Sequence, residues 1–103
     1  MEIKMTRDDD QLLVQISGRL DTTTSPELEE KIKPELDTLK KLTFDLEGLE
    51  YISSAGLRVL LLAAQALEGK GELKVKNVSS DIMDIFEVTG FVDILDIERN
   101  EKE

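Results

Sequence analysis

The segment from Leu57 to Leu67 constrains the fold more than any other, because Arg58 and Gln65 are its only polar residues. A helix of that composition has no polar stripe wide enough to lie on a wet surface. It must be covered by a sheet and by a neighbouring helix. Its longest unbroken apolar run, Val59 to Ala64, is too short to span a bilayer, so the covering must come from the rest of the chain.

The flanking sequence supplies strands. Ile3 and Met5 alternate with polar neighbours, as do Leu12, Val14 and Ile16 after Asp8-Asp9-Asp10, which predicts a β-hairpin. The three aspartates lack the spaced oxygen ligands of a calcium loop and read as a solvated turn. Ser25 followed by Pro26 predicts a cap and first helical residue, with Leu28, Ile32, Leu36 and Leu39 on one face and a kink or restart at Pro34. Leu42, Phe44 and Leu46 predict a strand ended by a turn at Glu47-Gly48. The covered helix follows and stops within Gly69 to Gly71.

Leu73 and Val75 mark another strand. Ser79 or Ser80 caps a helix carrying Ile82, Met83, Ile85 and Phe86, which Gly90 terminates and against which Phe91 folds back. Ile94 to Ile97 predicts a last short strand, and Glu98 to Glu103 a charged, frayed tail. The order is β-β-α-β-α-β-α-β. It specifies an α/β domain over residues 1–103, with a mixed, mostly parallel sheet packed against helices and an antiparallel first strand.

Composition removes whole classes of function. The chain has no histidine, so a Ser-His-Asp triad and imidazole base catalysis are excluded. With no cysteine it has no thiol nucleophile and no Cys/His metal set. No G-x-S-x-G elbow or phosphate-binding G-x-x-x-x-G-K-[ST] loop occurs, and the expectation is a non-enzyme without cofactor or metal. A net charge of −10 opposes direct nucleic-acid binding and favours a basic or mixed-charge protein partner. No secretory leader opens the sequence, so a cytoplasmic protein with no membrane association is expected.

Chemistry concentrates where Ser53-Ser54-Ala55-Gly56 opens the covered helix. Serine is a favoured N-cap, but an exposed hydroxyl at a helix start is also a place where the helix dipole stabilises an added phosphate. Gly56 serves either close packing or the exposure of Ser54. Arg58, one turn later, is a surface charge or a partner for such a phosphate. Asp21 either caps the Thr22 to Thr24 turn or takes part in phosphate transfer.

Gly18-Arg19-Leu20-Asp21, the strand Leu42 to Leu46, Ile52-Ser53-Ser54-Ala55-Gly56-Leu57 and Phe86-Glu87-Val88-Thr89-Gly90-Phe91 resemble, in order and spacing, the STAS-domain anti-sigma-factor antagonists of bacteria. The resemblance implies a protein that binds an anti-sigma factor serine kinase and so releases a sigma factor. Phosphorylation by that kinase switches it off, and a serine phosphatase restores it. Aligned on Gly56, the family's phosphorylated residue falls on Ser54, with Ser53 the alternative acceptor. Ser53 stands where the family's usual motif has an acid, and Ala55 where it has a second hydroxyl. Asp21, Thr22, Thr23, Ala55, Gly56 and Arg58 then form the surroundings of the phosphosite or the partner contact. The alternatives are a constitutive STAS scaffold in a signalling or transporter assembly, where Ser54 only caps, and a small-ligand or nucleotide binder using the same amides.

Overall fold

The structure is a computed structural model that describes residues 1–99. Its elements run β1 (Glu2–Asp8), β2 (Gln11–Leu20), α1 (Ser25–Ile32), a 3-10 segment (Lys33–Thr38), β3 (Lys41–Ile52), α2 (Ser54–Leu67), β4 (Glu72–Val78), α3 (Ser80–Thr89), a 3-10 turn (Phe91–Asp93) and β5 (Asp96–Arg99). The strands form one sheet in the order β1-β2-β3-β4-β5. The first pair is antiparallel and the other three pairs are parallel.

Because each parallel strand pairs with the next in sequence, right-handed crossovers place all three helices on the same face. The register shows the result. Leu12 lies beside Leu42, and Val14 beside Phe44, which lies beside Val75; all five are buried against the helices. The other face is polar, with one row running Lys4, Gln15, Asp45 and Lys76. Asp45 is the buried charged residue of that face, accepting hydrogen bonds from Asn77 Nδ2 at 2.9 Å and the Glu47 amide at 3.1 Å.

The covered helix behaves as its composition requires: Leu57, Val59, Leu60, Ala63 and Leu67 of α2 are buried. Phe44 and Phe86 are wholly enclosed, each worth about 1.5–3 kcal/mol of burial. Leu28, Ile32, Leu36 and Leu39 also join the core. The helix carrying them stops at Ile32 and restarts as a 3-10 segment, as Pro34 demands. Gly90 closes α3 in a left-handed conformation, and the Phe91 ring stacks on Phe86 with centroids 6.4 Å apart.

Four local expectations are corrected. Ser25 is the first residue of α1 rather than its cap. Thr24 holds the cap position, because its side chain is committed to the preceding turn. Glu47-Gly48 is not a turn but an irregularity inside a 12-residue strand. There, a Cβ on Gly48 would meet the Ser17 Cβ at 2.7 Å, so the glycine admits the neighbouring strand. The last strand starts at Asp96, after Ile94 and Leu95. Glu98 and Arg99 belong to it, and the rest of the expected tail lies outside the described residues.

Candidate functional site

Two parallel strands end side by side, with Arg19 opposite Tyr51 and Leu20 opposite Ile52. The chain leaves β2 into the Asp21 turn and leaves β3 into α2. The Ser53 amide donates to the Leu20 carbonyl at 2.9 Å, tying the two exits together. Asp21 to Thr24 and Ser53 to Gly56 therefore share the carboxyl edge of the sheet, where open α/β sheets present their sites.

The first exit is organised by one carboxylate. Asp21 Oδ1 accepts from the Thr23 amide at 3.0 Å, the Thr23 hydroxyl at 2.8 Å, the Thr24 amide at 3.1 Å and the Thr24 hydroxyl at 3.2 Å. The Thr24 hydroxyl also reaches the Arg19 carbonyl at 2.8 Å and accepts from the Asp21 amide at 2.8 Å. These donors favour the ionised form. The Thr23 hydroxyl first, then the Thr24 amide, hold the Asp21 carboxyl below the ordinary aspartate value of 3.8.

A pKa lowered by folding adds stability that is complete above the unfolded value and lost as pH falls through the folded one. In urea titrations from about pH 7 down to about pH 2, the parent should be more stable than Asp21→Asn near neutrality, with the gap closing in acid. An unchanged gap at the acid end would remove the carboxylate from this role. Thr22 makes no such contact and lies exposed at the turn.

At the second exit the two adjacent serines divide the work. Ser53 is the N-cap, its Oγ accepting from the Gly56 amide at 3.4 Å. Ser54 is the first helical residue and is exposed, with no side-chain hydrogen bond among the described residues. Gly56 is buried, and a Cβ there would come within 2.8 Å of Ile52 Cγ1 and of Leu20 Cγ. Its bareness lets α2 sit directly on the two strand ends, and that contact fixes where Ser54 emerges. Ala55 is half-buried and Arg58 exposed.

The sequence matches the STAS domain family over residues 2–103. The chain belongs to that family. The Anti-sigma-B factor antagonist of Staphylococcus aureus is 33% identical over 94% of this chain and 92% of its own length. An anti-sigma factor antagonist from Mycobacterium paratuberculosis has the same fold, with a TM-score of 0.87, 22% identity and coverage of 98% of this chain and 87% of that one. The Bacillus cell fate determinant SpoIIAA in its phosphorylated form superposes with a TM-score of 0.76 at 17% identity, covering 98% and 94%. STAS anti-sigma factor antagonists are regulatory binding proteins, not enzymes.

Within this STAS chain Ser53 supplies the oxygen that caps α2 by accepting the Gly56 amide. Among the described residues no group of three or more His, Cys, Asp or Glu could hold a metal ion. No helix there is long and apolar enough to cross a membrane.

Asp21 does cap the Thr22 to Thr24 turn, with Thr23 and Thr24 rather than Thr22 supplying the donors. Two participants escaped the sequence reading. Arg19 lies 4.3 Å from the centre of the Tyr51 ring and 3.9 Å from Asp21 Oδ2, joining the exits on their outer side. Ser25, 3% exposed, keeps an Oγ with no hydrogen-bond partner among the described residues, in a groove of about 420 Å³ between the starts of α1 and α2, lined also by Ala55 and Arg58. A run of three threonines carries no local signal for which hydroxyl turns inward, and the Arg19–Tyr51 pairing depends on strand register.

Proposed function

We propose that this chain is an anti-sigma factor antagonist: it binds an anti-sigma factor that is also a serine kinase, frees a sigma factor, and is released when Ser54 is phosphorylated. A serine phosphatase resets it, and the cycle runs in the cytoplasm without contact between this chain and nucleic acid. The observation that carries the reading is the exposed, unpartnered Ser54 hydroxyl at the start of α2, beside the ordered Asp21 turn. It is joined by the roles borne by the relatives, including a fold neighbour known in a phosphorylated form. Asp21, Thr23, Ser53, Ala55, Gly56 and Arg58 set the shape and charge around that hydroxyl, with Thr22 exposed beside them.

Ser53 already has its oxygen engaged by the Gly56 amide, which favours Ser54 as the acceptor. Ser54 is also not the capping residue, which supports a role for its hydroxyl other than capping. Incubation with the cognate anti-sigma factor and ATP, followed by fragmentation mass spectrometry, should place phosphate on Ser54. Ser54→Ala should abolish the modification and Ser53→Ala retain it. Phosphate found mainly on Ser53, Thr22 or Thr23 would overturn the assignment.

A further inference from the structure

We propose that Arg58 captures the phosphate of phosphorylated Ser54 within the same helix, so that modification both adds an anion and withdraws an exposed cation at this edge. The inference rests on the reading of Ser54 as the phosphoacceptor and adds the residue that receives the phosphate. Ser54 and Arg58 are both exposed on α2 and stand four residues apart, the spacing at which helical side chains meet. An acid placed before a base at this spacing is also the better of the two orders.

Arg58 enters no ion pair of 4.0 Å or less among the described residues, although Glu29 and Glu30 of α1 line the groove it borders. A phosphate with about two negative charges outcompetes those single carboxylates for the guanidinium and offers it a bidentate face. The start of α2, beside that groove, also has donors to spare. The Ser53 amide is used by Leu20 and the Gly56 amide by the Ser53 side chain. The Ser54 and Ala55 amides remain as first-turn donors with no carbonyl of the helix to bond. Ser25 Oγ, enclosed in the groove that Ala55 and Arg58 also line, has no hydrogen-bond partner among the described residues.

Phosphoserine can be inserted at position 54 during translation, which makes the test independent of any kinase. The phosphorus NMR signal is then followed against pH. The midpoint between the singly and doubly charged phosphate should lie about 0.3 pH unit lower in the parent than in Arg58→Gln. Arg58→Lys should keep most of that shift, and about 0.5 M salt should shrink it. Phosphoserine at position 53, five residues from Arg58, should show no response to Arg58→Gln. Equal midpoints for the parent and Arg58→Gln, or an equal response at position 53, would overturn the pairing. If the shift is present but no kinase modifies Ser54, the proposed function fails and the pairing stands. If the kinase acts and the shift is absent, the reverse holds.

Discussion

Gly56→Val loses about 2–3 kcal/mol of unfolding free energy, read as a lower urea midpoint with little change in slope. The side chain has nowhere to go. Even the first carbon would stand 2.8 Å from Leu20 Cγ and Ile52 Cγ1, and both residues are enclosed in the core. Gly56→Ala separates two opposing effects. Helix propensity alone favours alanine by about 1 kcal/mol, whereas overpacking a closed contact costs about 1–3 kcal/mol. The contact wins, and a net loss of about 1 kcal/mol is expected. An alanine variant more stable than the parent would show that the helix start is free to move off the strand ends. It would also undo the argument that this contact positions Ser54.

Ser54→Glu weakens binding of the anti-sigma partner at least tenfold, about 1.4 kcal/mol, while Ser54→Ala binds like the parent. The loss does not require unfolding. A carboxylate in the first turn of α2 is stabilised by the helix dipole, and glutamate there can reach Arg58 as the first member of an acid-then-base pair. What changes is the docking edge, which gains a charged side chain and loses a free cation. Calorimetry against the partner gives the affinity, and circular dichroism with thermal melting confirms the fold. Unaltered affinity in a folded glutamate variant, matched by unaltered affinity in authentically phosphorylated protein, would leave the constitutive scaffold as the better account.

Periodicity carried most of the architecture. The alternation of Leu12, Val14 and Ile16 and that of Leu42, Phe44 and Leu46 fix one buried face each. The apolar surround of α2 then demands a cover that only a sheet with helices on it provides. Pro34 and Gly90 marked chain events that the structure shows at those places. Misread positions were those whose conformation depends on a neighbouring strand or on a competing side chain. Gly48 carries a turn signal, yet pairing with Ser17 and Gly18 keeps β3 extended through it to Ile52. Ser25-Pro26 has the form of a cap, yet Asp21 captures Thr24 and moves the helix start by one residue. At the site, Ser54, Asp21 and Gly56 were visible as residue types in suggestive positions. Which serine caps, which threonine closes the turn, and what Gly56 touches depend on side-chain geometry between elements.

The bare polar side of the sheet offers a practical handle. Lys4 is exposed on that side, paired with Gln15, and turned away from the layer that carries Ser54. Since the sequence contains no cysteine, Lys4→Cys would create a single thiol. A dye or tether attached there leaves the α1–α2 edge unobstructed, so the cycle of docking and release can be watched on an immobilised molecule in real time.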